Sequence, residues 1–223
     1  MSGEVWQIVL FTLKVSALST LLILPLGIAA AWWLARRSFP GKALVETTMM
    51  LPLFVPPVAT GLVLLMLFGR RGPLGSALER GLGLEIVFTW RAVVLACAVM
   101  SFPLLVRAAQ VAFAEVNPRL EQIARTLGAS EWRVFLTISL PLAARGVIAG
   151  AVLAFARAMG EFGATVVVAG MIPRRTMTLA TSIYQHIELG QDAVAVQLLL
   201  VSIAIVFVTV LCGQIISKPR RAQ

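Results

Sequence analysis

Long apolar stretches separated by short polar segments run through the whole chain. Stretches without a charged residue cover residues 15–35, 47–69 and 193–217, and each exceeds the roughly 20 residues that a membrane-spanning helix needs. Two further apolar stretches are interrupted by only a few charged residues. We therefore predict an all-α integral membrane protein with one domain and five spans, at about residues 5–35, 45–69, 87–111, 142–169 and 193–217.

The polar segment between the third and fourth spans, residues 117–141, reads NPRLEQIARTLGASEWRVFLTISLP and is called the connector below. Asn117 followed by Pro118 favours a helix start, because Asn caps free N–H groups and Pro suits the first helical position. Gly128 supplies a left-handed stop. Between them, one apolar stripe at helical spacing is formed by Leu120, Ile123, Ala124 and Leu127.

The second half of the connector predicts another short helix. Ser130 is suited to cap it, and it would run to Ser139, before Pro141 opens the fourth span. Two interpretations of the whole connector remain open. It lies on the lipid surface as an interfacial helix, or it forms a rigid shape that docks with a soluble partner.

Prolines interrupt the second span, which reads LPLFVPPVATG at residues 51–61. Pro52, Pro56 and Pro57 remove three backbone donors, so we predict that no regular helix passes through this stretch. Irregular backbone at membrane depth survives only where it is buried in protein or lines a watery cavity. The break is therefore either a packed kink or a wall of a pathway.

Two segments outside the spans carry weaker signals. Residues 70–86 are rich in glycine and predict an external turn. Apolar side chains at spacings of three and four predict a short amphipathic helix within residues 176–189, at the membrane face. They are Met177, Ala180, Ile183, Tyr184 and Ile187.

Composition and charge agree with a membrane protein whose connector is cytoplasmic. Apolar residues make up 59% of the 223, and mean hydropathy is +0.93, above the apolar share of about 45–50% in soluble domains. The net charge of +9 is distributed as the positive-inside rule requires, so it does not indicate nucleic-acid binding. The N-terminus is then outside and the C-terminus inside. The inner segments carry Arg36, Arg37, Lys42, Arg107, Arg119, Arg125, Arg133, Arg145, Lys218, Arg220 and Arg221, against Arg70, Arg71, Arg80, Arg91, Arg174 and Arg175 outside.

The connector resembles a cytoplasmic pattern of permease subunits of bacterial ABC importers: Glu-Ala-Ala, three residues, Gly, nine residues, Ile, one residue, Leu-Pro. The spacing from Gly128 to Pro141 agrees throughout, whereas Gln122 and Ile123 replace the Glu and first Ala, and Glu121 comes one position early. In those permeases this loop is the coupling helix, which sits in a groove of the ATPase subunit. The resemblance implies ATPase-coupling roles for Glu121, Gln122, Ala124, Gly128, Ile138, Leu140 and Pro141.

Other stretches are similar to the molybdate branch of these permeases, to which sulfate and tungstate permeases are related. They are RRSFPGKALVE at residues 36–46, LPLFVPPVATG at 51–61 and FARAMGEFGATVV at 155–167. The resemblance implies a type I ABC importer permease (MetI-like) fold in the inner membrane. It also implies a homodimer that imports an oxyanion by alternating access, with molybdate as the first choice and tungstate or sulfate as alternatives.

An energy source for such import is missing from this chain. It has no Gly-x-x-x-x-Gly-Lys-Ser/Thr sequence to cradle ATP phosphates, so we expect no enzyme here and ATP with Mg²⁺ to be used by a partner. The resemblance implies a second copy of the chain, two ATPase subunits and an extracytoplasmic oxyanion-binding protein. Cys97 and Cys212 lie in spans as expected free thiols, and His186 is the only histidine. We predict neither a metal site nor a cofactor in this chain.

A charged pair, Arg157 and Glu161, lies near mid-membrane in the fourth span, four residues apart and on one helix face. It either neutralises itself and fixes packing, or it borders the anion route with Arg157 as the better ligand candidate. Gly160 and Gly163 beside Glu161 would allow close helix approach. Candidates for the pathway or its gate are Pro56, Pro57, Arg157, Gly160, Glu161, Phe162 and Thr165.

Two other classes of function, a secondary carrier and an intramembrane enzyme, fit the sequence less well than an importer permease. An ion-coupled secondary carrier would use Arg157 and Glu161 as a relay, but five spans cannot be divided into the paired repeats common in such carriers. An intramembrane enzyme is disfavoured, because the spans offer no paired carboxylates, no Ser-Lys or Ser-His dyad and no metal cluster.

Overall fold

Helices form all the regular secondary structure of residues 3–217, the part of the chain that the structure, a computed structural model, describes. Three cations of the predicted charge bias, Lys218, Arg220 and Arg221, lie outside the described residues. In chain order the helices are α1 (Gly3–Arg36), α2 (Lys42–Phe54), α3 (Pro57–Phe68), α4 (Pro73–Leu82), α5 (Trp90–Glu115), α6 (Pro118–Thr126), α7 (Glu131–Met159), α8 (Gly163–Ala169), α9 (Leu179–Glu188) and α10 (Asp192–Ser217).

Five crossings of a membrane are compatible with these helices. By length and composition α1, α5, α7 and α10 can each span a bilayer, and α2 with α3 supplies a fifth span if the bent pair is one crossing. The predicted all-α architecture is therefore confirmed. Helix α5 forms the centre of the bundle, with Ala96, Met100, Leu105 and Phe113 fully buried against α1 and α7.

The second span is broken, as its prolines predict. Helices α2 and α3 meet at 106° across Val55 and Pro56. Neither Pro56 nor Pro57 has an N–H to continue the ladder, and the N–H groups of Ala59 and Thr60 both reach back to the Pro56 carbonyl. Pro52 differs from the prediction, because it is accommodated within the last turn of α2.

The fourth span begins and ends elsewhere than predicted. Helix α7 starts at Glu131, so the second connector helix and the span are one continuous helix rather than two. Pro141 has no N–H for an ordinary helical bond, and the ladder adapts through a π-helical turn, Phe135–Ser139, in which the Leu140 N–H bonds to the Phe135 carbonyl. At its far end α7 stops at Met159, ten residues before the predicted limit of 169.

The segments outside the spans give one correction and one confirmation. Residues 70–86 contain helix α4 rather than a simple turn, because Pro73 starts a helix that a left-handed Gly83 ends. The predicted amphipathic helix exists as α9, capped by Thr178. Both cysteines are free as expected, but only Cys97 is buried, since Cys212 lies exposed on α10.

Candidate functional site

The start of the connector follows its sequence signals closely. The Asn117 side chain accepts a hydrogen bond from the Arg119 N–H at 3.0 Å, and Pro118 is the first residue of α6. This satisfies one of the free donors at the helix start, and the missing proline donor is not needed there. The predicted helix start is confirmed.

The end of α6 is a left-handed glycine turn. Gly128 has φ +84°, and its N–H bonds to the Arg125 carbonyl at 3.0 Å, while the Ala129 N–H bonds to the Ala124 carbonyl at 3.0 Å. This pair of bonds is a Schellman motif, which fixes the direction of the chain after the helix. Ser130 then caps α7 by accepting from the Arg133 N–H.

The apolar stripe of α6 faces away from the rest of residues 3–217. Leu127 is 82% exposed, Ile123 is 56% exposed and Leu120 is also exposed, and Trp132 on α7 adds a further exposed ring. A helix that packed on its own protein would bury these side chains. The stripe is thus an unpartnered apolar face at the tip of a rigid turn.

Helix α6 is held against the rest of the protein by a buried carboxylate, Glu121, which flanks the stripe. Its Oε1 accepts hydrogen bonds from Arg36 Nε at 3.0 Å, from Arg36 Nη2 at 2.7 Å and from Ser139 Oγ at 2.7 Å. Arg125 Nη2 lies 3.7 Å from its other oxygen. Sequence reasoning placed Glu121 in the connector but missed Arg36 and Ser139, which come from the end of α1 and the π-helical turn.

A second, exposed ion pair braces the turn itself. Arg125 Nε lies 2.6 Å from Glu131 Oε1, and Nη2 bonds to Oε2 at 3.0 Å. The hydrogen bond with Glu131 raises the pKa of Arg125 above its ordinary value. The fork-shaped contact joins α6 to the first residue of α7.

The remaining coupling candidates are divided between surface and interior. Gln122, Gly128 and Pro141 are exposed, whereas Ala124, Ile138 and Leu140 are half-buried. Phe135, which sequence reasoning did not select, roots the start of α7 with ring centroids 5.0 Å from Trp32 and 5.4 Å from Trp132. Its local signal is weak, because Trp32 is distant in sequence and Trp132, three residues earlier, indicates only a shared helix face.

The predicted ion pair of the fourth span is present, with a different backbone around it. Arg157 Nη1 lies 2.7 Å from Glu161 Oε2. Glu161 is not on the helix with Arg157 but in the link after Met159, where its Oε1 accepts the Ala164 N–H at 2.8 Å. Glu161 therefore caps α8 while it neutralises Arg157, whose side chain stays 25% exposed.

The breaks in the second and fourth spans lie against each other. A Cβ on Gly163 would be 2.7 Å from Pro57 Cβ, and a Cβ on Gly61 would be 2.8 Å from the Ala164 backbone. The predicted close approach at Gly163 is confirmed. At Gly160 a Cβ would meet only the Arg157 carbonyl oxygen, at 3.9 Å, within the described part of one chain, so close approach there stays a prediction. Gly61, the partner that permits the approach, was missed.

The other pathway candidates differ in accessibility. Pro56 and Pro57 are exposed at the break of the second span. Phe162 packs on Tyr184 of α9, with ring centroids 4.9 Å apart. Thr165 is completely buried, so within one chain it cannot line an open route.

Comparison with known proteins places these features in a family. Residues 23–221 match the family described as binding-protein-dependent transport system inner membrane component. The molybdenum transport system permease protein ModB of Escherichia coli (strain K12) is 48% identical over 97% of this chain and 95% of its own length. The ModB of Haemophilus influenzae is 43% identical over 93% and 91%. The sulfate transport system permease protein CysW of Synechocystis is 34% identical over 92% and 76%.

Solved structures share the architecture at low sequence identity. A chain of the bacterial alginate ABC transporter in complex with its alginate pentasaccharide-bound periplasmic protein superposes with TM-score 0.74 and 18% identity, over 98% of this chain and 80% of that one. A chain of the inward-facing MetNI methionine ABC transporter gives TM-score 0.71 and 17% identity, over 96% and 93%. The fold is that of type I ABC importer permeases, and the chain belongs to the family of binding-protein-dependent transport system inner membrane components.

Proposed function

We propose that this chain is the transmembrane subunit of an ATP-driven oxyanion importer, with molybdate as the substrate. The single observation that carries the proposal is the exposed apolar stripe of α6 on a braced turn, which suits a docking surface for an ATPase. Support for molybdate comes from the relatives, since five named for molybdenum transport are 38–48% identical and three named for sulfate transport are 34–39% identical.

Docking explains the connector better than a position on lipid does. An interfacial helix needs an apolar face and polar flanks, but no fixed angle to the next helix. Here a Schellman turn and the Arg125–Glu131 ion pair fix that angle. Rigidity of this kind reduces the ordering cost of binding a shaped groove. The connector then lies in the cytoplasm, with the N-terminus outside and the C-terminus inside.

The division of labour follows from what the chain carries. Two ATPase subunits would hydrolyse ATP with Mg²⁺, two copies of this chain would form the pathway, and an extracytoplasmic protein would deliver the oxyanion. Closure of the ATPases would pull the connectors together and rock the spans, giving alternating access. Because Glu161 neutralises Arg157, the permease binds the anion weakly and leaves selection to the binding protein.

Leu127→Glu should uncouple the chain from its ATPase. Leu127 is the most exposed residue of the stripe, and a charge there would have to be desolvated in an apolar groove. We expect co-purification of the ATPase in detergent to fall at least tenfold, as a loss of about 1.4 kcal/mol implies. Leu82→Glu, at an exposed leucine of α4, is the matched control and should retain the ATPase. Equal recovery from both variants would contradict docking through the stripe.

Competition uptake tests the substrate. The chain is co-expressed with a candidate ATPase and binding protein, and uptake of labelled molybdate is measured against unlabelled molybdate, tungstate and sulfate. We expect ATP-dependent uptake in which molybdate competes best. Preference for sulfate would overturn the substrate, and gradient-driven uptake by the purified chain alone would overturn the function in favour of a secondary carrier.

A further inference from the structure

Helix α1 is attached to the connector by its last residue. Arg36 places two guanidinium nitrogens on Glu121, and its Nη2 also donates to the Val116 carbonyl at 3.1 Å. The same Glu121 oxygen accepts a hydrogen bond from the Ser139 hydroxyl, at the start of the fourth span. Removing one member of such a buried pair is strongly unfavourable. Any movement of α6 must therefore move the end of α1 with it.

The other end of α1 is attached to α9. The Thr12 hydroxyl donates to the Ile8 carbonyl at 2.8 Å and accepts the Leu179 N–H at 2.9 Å. Leu179 is the first residue of α9, so this contact satisfies one of the backbone donors that a helix start leaves free. The Leu179 side chain is fully buried among apolar residues that include Val5 and Val9 of α1.

Between these two attachments α1 is one unbroken helix. Arg36 lies 24 positions after Thr12, which corresponds to a length of about 36 Å at the helical rise of about 1.5 Å per residue. Pro25 lies inside without ending the helix. Gly27 seats the middle of α1 on Leu105, where a Cβ would come within 2.6 Å of that side chain. Helix shifts of about 1–2 Å are one way in which proteins switch between states, and an unbroken, packed helix can carry such a shift from one end to the other.

We propose that α1 is a connecting rod that links the position of the connector to α9 at the opposite end of the bundle, with Glu121 and Thr12 as its positioning residues. The inference rests on the proposed function, in which the connector meets the ATPase and α9 lies on the side that receives the binding protein. Coupling between two sites acts in both directions. A loaded binding protein pressing on the α9 side therefore changes the connector through α1, and nucleotide-driven movement of the connector repositions α9.

Thr12→Val tests the rod without touching either proposed docking surface. Valine keeps the shape of threonine and removes the hydroxyl that accepts the Leu179 N–H. The assembled complex is reconstituted in lipid, and ATP hydrolysis is measured with and without molybdate-loaded binding protein. We expect unchanged basal hydrolysis, while stimulation by the binding protein falls about five-fold, the population change that one lost buried hydrogen bond brings.

Three companion variants make the outcome decisive. Thr12→Ser keeps the hydroxyl and should retain the wild-type ratio of stimulated to basal hydrolysis. Thr209→Val is the matched control, because among the described residues the Thr209 hydroxyl on α10 donates only to the Ile205 carbonyl of its own helix. Thr12→Ala replaces the valine variant if that fails to assemble, and should show the same loss.

Two results would separate the rod from the importer itself. Wild-type stimulation in both Thr12→Val and Thr12→Ala, alongside normal uptake by the wild-type complex, overturns the rod and leaves the proposed function standing. Absence of ATP-dependent uptake by the wild-type complex overturns the function instead.

Discussion

The Gly128→Val variant should reach the membrane in normal amounts and lose ATP-driven uptake. Gly128 has φ +84°, and a Cβ there would meet no non-adjacent atom of the described residues within 4 Å, so the substitution acts on backbone conformation. A left-handed residue with a side chain costs about 1–2 kcal/mol, and a β-branched one is a genuine outlier in this region. The chain would relieve this strain by opening the Schellman turn, which redirects α6 and its apolar stripe.

We expect Gly128→Val to lose uptake rather than membrane insertion, because the turn lies outside the spans. Membrane insertion depends on the apolar helices, which do not contact the position of the new Cβ. Uptake depends on the angle between α6 and α7, since an interface tolerates little misplacement of its central anchors. The measurement is uptake of labelled molybdate per membrane-inserted permease in cells that express all subunits.

Two substitutions control for strain in general. Gly128→Asn should retain most of the uptake, because Asn adopts the left-handed conformation with little penalty. Gly83→Val places the same kind of strain in open space after α4, at φ +62°, and should spare uptake. Normal uptake by Gly128→Val would remove the argument that the connector must hold a fixed shape.

Sequence reasoning succeeded where the determinants are local. The spans follow from runs of apolar residues, and the cap at Asn117 and the turn at Gly128 follow from the intrinsic conformations of those residues. The break between α2 and α3 follows from consecutive prolines in the same way. The cap, the turn and the break are each decided by a few neighbouring residues, and each span by one continuous apolar run, so a single sequence contains them.

Features decided by contacts distant along the chain were missed. Glu121 looked like a surface acid of a coupling helix, yet its partner Arg36 lies 85 positions away. Gly61 has no signal of its own, because its meaning comes from the Ala164 backbone that packs on it. The limit of the fourth span was wrong for a related reason. An apolar stretch conceals the link at Gly160, where one helix ends and Glu161 caps the next.

The Glu121→Ala variant should show the largest loss of stability of any substitution in the connector. It removes the carboxylate that accepts three hydrogen bonds and leaves Arg36, whose side chain is only 15% exposed, without its counter-charge. Breaking a buried pair by deleting one partner costs about 3–5 kcal/mol. Thermal unfolding of the purified permease in detergent should therefore occur at a clearly lower midpoint than in the wild type.

Glu131→Ala is the matched control, because it deletes the acid of an exposed pair in the same connector. The Glu131 side chain is 56% exposed beside Arg125, and exposed pairs contribute about 0–1 kcal/mol, so its unfolding midpoint should stay near that of the wild type. Equal midpoints for the two variants would show that the Glu121 pair contributes no more than a surface contact.

The Glu121→Ala variant also distinguishes a residue that holds α6 in place from one that binds the ATPase. Glu121 is only 2% exposed and is bonded inward to Arg36 and Ser139, so it is not accessible to a partner that covers the exposed stripe. We expect Glu121→Ala to co-purify some ATPase at low temperature and to lose it on mild warming, whereas Leu127→Glu should recover none at any temperature. That difference would show that the carboxylate holds the helix and that the stripe binds the partner. If neither variant recovered the ATPase at any temperature, Glu121 would have a direct part in binding, which would contradict the conclusion drawn from its burial. The temperature dependence of ATPase recovery therefore separates the role of Glu121 from that of the apolar stripe.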